Sequence, residues 1–229
     1  MAVSTASGSA DSEVRVNRFL AQVYAIMTVG LLVTALVSTW ISRDLMRLIN
    51  IASSPWLVFG LFLVQIMLVV SLSRSVQTMK AGAAFLIFLG YAALTGVTLS
   101  VIFLYYANDL IYQVFWITAA TFLITSLVAI VLKLDMSKAG PILFMLLLGW
   151  IIAWTFTIFF PNGPVSNTLN FLGIALFVGL TAWDTQRLKR LGEQIDTHPA
   201  RNGLAVVGAL MLYLDFINLF LLILRASRR

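Results

Sequence analysis

The chain has 229 residues, of which 61% are hydrophobic and 10% charged, whereas soluble domains are about 45–50% apolar; about 140 apolar residues would fill seven helices of about 20, each crossing the ~30 Å hydrocarbon layer, and leave no room for a separate soluble domain. With no Cys and a single His, His198, disulfides, thiol catalysis, iron–sulfur clusters and zinc sites are excluded, and no cofactor is expected. The net charge of +6 comes from 15 bases against 9 acids, and those bases flank apolar runs instead of clustering on one face, so the partner they imply is the lipid bilayer and not nucleic acid.

Residues 1–18 are rich in Ser and Ala, carry Asp11, Glu13, Arg15 and Arg18, and contain no apolar stretch; they read as a flexible cytoplasmic tail. The run Phe19–Ser42 is 24 residues long, beyond the about 7–15 of a signal-peptide core, and is therefore the first span. Further apolar runs follow at Trp56–Leu72, Ala81–Tyr105, Leu110–Leu132, Gly140–Phe160, Thr168–Trp183 and Gly203–Leu224. Between them stand turn-formers and charges: Ser53-Ser54-Pro55, Asp109, Asp135 and Pro161-Asn162-Gly163-Pro164. The sixth run ends at Asp184 by hydropathy, but its helical pattern continues to about Arg190. The expected fold is an all-α bundle of seven transmembrane helices over 19–225, with spans at 19–42, 56–72, 81–105, 110–132, 140–160, 168–190 and 203–224, and a basic tail at 226–229.

Lys and Arg outside the spans set the orientation. A cytoplasmic N-terminus puts ten on the inner side, namely Arg15, Arg18, Arg74, Lys80, Lys133, Lys138, Arg187, Lys189, Arg190 and Arg201. The outer side then holds five: Arg43, Arg47, Arg225, Arg228 and Arg229. The N-terminus is expected inside and the C-terminus outside, although the basic C-terminal tail opposes the count. Because lipid tails give helices no hydrophobic reason to associate, small residues should line the contacts. They recur at four-residue spacing as Gly30, Thr34, Ser38 in span one and Ala92, Gly96, Ser100 in span three, with Ala175 and Gly179 in span six. Thr95, Thr98 and Ser100 have a second reading, as the lining of a polar path.

Of nine acidic residues only Asp184 and Asp215 fall within or at the edge of an apolar run. An ionised Asp at mid-bilayer costs at least about 2.5–3.5 kcal/mol, so each must face the interior, find a partner or carry a proton. Asp215 lies 12 residues beyond Gly203 with Asn218 on the same face, and Asp184 has Thr181 and Arg187 one turn away on either side. Two carboxyl groups sharing a desolvated pocket cannot both ionise cheaply, which would make the pair a proton switch. When both are charged they would suit Ca2+, although two carboxylates alone fall short of its about six to eight ligands. The structural alternative is that each Asp fixes helix packing through Thr, Tyr or Asn neighbours, with Asp184 paired to Arg187 at the surface. A cation reaching in from the cytoplasmic side would latch the ionised pair; of Arg74 and Lys80 in the loop between spans two and three, Arg74 is preferred because its fork bridges two carboxylates. The competing role for Arg74 is a headgroup anchor.

The run Val206-Val207-Gly208-Ala209-Leu210-Met211-Leu212-Tyr213-Leu214-Asp215-Phe216-Ile217-Asn218-Leu219-Phe220 resembles the last span of the Bax inhibitor-1 family (transmembrane Bax inhibitor motif proteins), especially its bacterial inner-membrane branch. Four further stretches agree in order: Gln22-Val23-Tyr24 through Thr28-Val29-Gly30-Leu31-Leu32, Ala93 through Ser100, Gly179 through Gln186, and Gly192 through Thr197. The resemblance, over Phe19 to Arg225, implies seven helices with the last one central, a proton-sensitive calcium leak in the inner membrane, and a paired-aspartate sensor at Asp184 and Asp215. Thr181, Asn218, Thr98 and Ser100 are the candidate supporting polar groups, and Trp183 stands where the family often has Tyr. The alternative role it implies is binding: modulation of a membrane-anchored AAA protease in bacteria, or of cell death and stress responses, with residues 1–18 as a handle. No enzyme is expected. Span seven has no Lys for a retinal Schiff base, no His-Glu-x-x-His helix or phosphate loop occurs, and His198 lies in a loop. The oligomeric state is not legible.

Overall fold

The computed structural model describes residues 3–75, 79–131, 136, 139–159, 165–194 and 201–227. Lys133, Asp135, Lys138, Pro161 to Pro164, His198, Arg228 and Arg229 lie outside the described residues. Among the described residues every regular element is an α-helix: α1 (Val3–Ser42), α2 (Leu45–Ala52), α3 (Pro55–Ser75), α4 (Ala81–Leu99), α5 (Ile102–Tyr105), α6 (Asn108–Val131), α7 (Ala139–Phe159), α8 (Val165–Gln194) and α9 (Arg201–Ala226). Six stretches are long and apolar enough to cross a membrane: Glu13–Ser42, Pro55–Arg74, Ala81–Tyr105, Asn108–Val131, Thr168–Gln194 and Arg201–Ala226. A shorter apolar stretch, Ala139–Thr155, lies in α7. The protein is a multi-pass helical membrane protein, with apolar helices where hydropathy put its seven runs.

Three boundaries differ from expectation. Helix α1 begins at Val3, so residues 3–18, expected as a flexible tail, continue the first span; extending a nucleated helix costs little where Ala and Ser offer no block. The link after span one contains α2, which opens on Asp44: its carboxylate accepts from the Met46 and Arg47 amides at 3.0 and 3.3 Å and fills the N-cap role. Span three is broken at Ser100-Val101. There the Phe103 and Leu104 amides bond three residues back, to the Ser100 and Val101 carbonyls, both at 3.1 Å. This tighter winding releases carbonyls, and the Ser100 hydroxyl donates to one of them, Val97 O, at 2.7 Å.

The chain forms two compact units, Met1–Tyr106 with Leu191–Tyr213, and Ala107–Arg190 with Leu214–Arg229. In the first, the small residues predicted for spans one and three are interior: Gly30, Thr34, Ser38, Ala92, Gly96 and Ser100 are all buried. The Thr34 hydroxyl donates to Ala92 O at 2.8 Å. Having spent its one proton there, it accepts from the Tyr213 hydroxyl at 2.6 Å. Tyr213 is fully buried, and the nearby Thr95 hydroxyl donates to Tyr91 O at 3.0 Å and accepts from the Gln65 amide at 3.2 Å. Rings of Phe88 and Tyr91 meet Tyr213 edge-on at 5.5 and 5.8 Å, so the start of α9 is fixed to α1 and α4 by shape and by hydrogen bonds. Each such interhelical bond contributes about 0.6 kcal/mol in a membrane.

In the second unit, Leu176, Phe177 and Leu180 of α8 pack with Leu219 and Leu222 of α9, flanked by Leu143, Leu147 and Trp150 of α7. The Trp150 indole donates to Leu169 O at 2.8 Å. Of the small pair predicted in span six, Gly179 meets Leu143 but Ala175 is exposed. Among the candidate spans α9 is the most enclosed, with 72% of its apolar window buried against 6% for α3.

Candidate functional site

Both intramembrane carboxylates belong to the second unit. Asp184 is 8% and Asp215 6% exposed, and their side chains lie close enough to interact. A carboxylate is acceptor-only, so two such groups can hydrogen-bond each other only when they share a proton. Asp215 Oδ2 is buried, and no N–H or O–H donor among the described residues reaches it. An unsatisfied buried acceptor costs about 1–3 kcal/mol, which a proton shared with Asp184 would offset.

The surroundings are built so that few donors reach the pair. The Thr181 hydroxyl, fully buried, donates to Phe177 O at 2.8 Å, and Asn218 Nδ2 donates to Leu214 O at 2.9 Å. Both expected supporting groups thus bond their own helix, because a carbonyl four residues back is always within reach. Thr98 and Ser100 lie in the first unit and do the same, Thr98 to Thr95 O at 2.9 Å and Ser100 to Val97 O at 2.7 Å. The nearby cation is Arg187, which interacts electrostatically with Asp184. Its guanidinium stands 5.2 Å from the centre of the Trp183 ring and is exposed. Trp183 in turn fits against Gly140, where a Cβ would lie 2.5 Å from the indole, so the indole uses the space left by a missing side chain. Arg74, the expected latch, is exposed in the last turn of α3 in the first unit.

Several polar groups here escaped the sequence reading. Thr118 and Ser126 of α6 are buried; Thr185 donates to Ser126 Oγ at 3.4 Å and the Gln186 amide to Ala129 O at 3.1 Å. Lys189 Nζ reaches Ile130 O at 3.3 Å. These bonds fix the register of α8 on α6 at the level of Asp184. The signal was present: Thr118 and Ser126 are eight residues apart on the buried face of α6 that includes Phe122. Phe115 and Phe122 pack edge-on to Phe216, each at 5.6 Å, and close an aromatic wall beside Asp215.

The arrangement can exchange one proton between two buried oxygens and, once that proton leaves, present two negative charges to a cation. Among the described residues no group of three or more His, Cys, Asp or Glu comes together, so a calcium ion at this pair would draw its remaining ligands from carbonyls or water.

Comparison with known proteins finds that the family model described as "Inhibitor of apoptosis-promoting Bax1" matches residues 16–227. Inner membrane protein YbhL of Escherichia coli K12 is 41% identical over 209 residues, covering 90% of this chain and 89% of that protein. An uncharacterised protein of Borreliella burgdorferi is 39% identical, with 91% and 90% covered. An uncharacterised membrane protein of Streptococcus pyogenes serotype M3 is 35% identical, with 95% of each chain covered.

Proposed function

Because the chain belongs to the Bax inhibitor-1 family, we propose that it is an inner-membrane calcium leak whose gate is the proton shared by Asp184 and Asp215, with the N-terminus cytoplasmic and the C-terminus outside. The observation that supports this reading is the burial of two interacting carboxyl groups in one site. With one proton the pair carries a single charge and its two helices are joined. Without it, two like charges repel at short range, and a divalent cation or an arginine is the relief available in a dry site. A calcium ion held by both carboxylates is held too tightly to move on, since conduction needs binding weak enough for the ion to leave. Protonation weakens that hold, so acidification opens the path. Calcium is cargo here, the chain needs no cofactor, and no bond is made or broken.

The test is calcium efflux from proteoliposomes containing only the purified chain, followed as the pH is lowered from about 8 to about 6. Efflux should rise as pH falls. The same assay decides the role of Arg74: a latch predicts faster leak at neutral pH in Arg74→Gln and partial rescue in Arg74→Lys, whereas a headgroup anchor predicts less protein in the membrane with unaltered flux per molecule. Absence of efflux at every pH would favour the binding role instead, modulation of a membrane-anchored AAA protease or a stress response. The handle for that role is the helical segment of α1 that precedes the candidate span at Glu13.

A further inference from the structure

The last turns of α1 carry a groove that the carboxyl pair does not use, one of whose lining residues, Val37, also packs beside Gly96 of α4. It is a cavity of about 410 Å³ lined by Leu36, Val37, Thr39, Trp40 and Arg43, which falls within the size range of small-ligand sites. Leu36, Trp40 and Arg43 follow at four- and three-residue spacing, so they share one face. They run from apolar to aromatic to cationic over about 10 Å at 1.5 Å per residue, the order in which a bilayer changes from acyl chain to headgroup. Leu36 is 70% and Trp40 60% exposed. This face therefore opens outward.

The charge at the mouth is what identifies the occupant. Three ionisable groups lie together there, Arg43, Asp44 and Arg47. Asp44 is fully engaged: one oxygen caps α2 through the Met46 and Arg47 amides, and the other meets Arg47 Nε at 3.0 Å. Arg47 is further held 4.7 Å above the Trp40 ring. Arg43 is the remaining cation, exposed, just past the end of α1, with no ion pair among the described residues. The negative end of the helix dipole favours a cation at that position but supplies no counter-ion.

We propose that this groove holds one anionic phospholipid, its phosphate on the Arg43 guanidinium and an acyl chain along Leu36, Val37 and Trp40. The Arg fork matches two phosphate oxygens at once, and the ring of Trp40, pinned by Arg47, gives the upper acyl chain a rigid wall. The ligand comes from the leaflet at that end of α1, and the site is independent of the carboxyl pair.

The experiment is native mass spectrometry of the full chain in detergent, titrated separately with dioleoylphosphatidylglycerol and dioleoylphosphatidylcholine. The expected result is retention of the anionic lipid about fivefold more tightly, the worth of about one basic residue at a membrane surface. Arg43→Gln removes that preference and Arg43→Lys keeps part of it. Arg225→Gln, which takes away another exposed cation set 4.6 Å over a tryptophan, leaves the preference intact. Leu36→Trp fills the groove from an exposed position and weakens both lipids with every charge still present. Millimolar inorganic phosphate does not compete. The proposal is overturned if Arg43→Gln keeps the preference, if Arg225→Gln loses it equally, or if free phosphate displaces the lipid. It is also overturned if Leu36→Trp shifts only a monomer–dimer equilibrium, for then a second copy of the chain covers the groove.

Discussion

Asp215→Asn is expected to flatten the pH response of calcium efflux while leaving the protein as stable as before. The substitution keeps the shape and lets an amide N–H donate where the shared proton stood, so the hydrogen bond to Asp184 survives without a titrating group on α9. Two carboxyl groups at 8% and 6% exposure in one site titrate as a pair, and a pKa change of about one unit is a tenfold change in protonation. The loss in pH-dependence should therefore be about tenfold, read as the ratio of efflux at the acidic and alkaline ends. Thermal unfolding in detergent should not fall, because the side chain keeps its size and its hydrogen bond to Asp184. A pH response equal to wild type would mean that Asp215 holds helices together and senses nothing.

The largest loss of stability is expected from Gly96→Leu. A Cβ at Gly96 would lie 2.8 Å from the Thr34 carbonyl oxygen and 2.8 Å from Val37 Cβ. Of these, the carbonyl belongs to the α1 backbone and cannot turn aside. Overpacking costs about 1–3 kcal/mol, and moving α1 away would also strain the Thr34 bonds to Ala92 and Tyr213 at 2.8 and 2.6 Å. For a chain of this size each kcal/mol lowers the Tm by about 2–4 °C, so a drop of about 5–10 °C is expected, smaller in Gly96→Ala. Gly60→Ala is the control, since a Cβ there has nothing within 4 Å. Equal Tm values for the two alanine variants would contradict the close approach of α1 to α4.

The spans were legible because hydropathy answers a simple question of solvent, and the carboxyl pair because only two acids stand in apolar runs. Their sharing one site was one of two readings that the cost of an intramembrane charge left open, the other being separate packing roles through Thr, Tyr or Asn neighbours. What hydropathy does not register is backbone hydrogen bonding: the break at Ser100-Val101 is as apolar as the helix around it. Helix α2 was hidden for a different reason, being eight residues long and too short to span, although Asp44 before Leu45 is an N-cap signal that could have found it. Thr181 and Asn218 shared a face with the acids, yet their own i−4 carbonyls were nearer partners than any carboxylate. The bond from Tyr213 to Thr34, 179 residues apart, depends on how α9 is rotated against α1, and no local pattern encodes that.

Infrared spectroscopy of the reconstituted protein tests the shared proton most directly, because a protonated carboxyl absorbs apart from a carboxylate. A protonated-carboxyl band is expected at neutral pH, and its position is expected to shift in Asp184→Asn and in Asp215→Asn, because either change replaces the partner of the carboxyl group that keeps the proton. A band that is absent from the wild type at neutral pH, or that is unchanged in both variants, would contradict the shared proton.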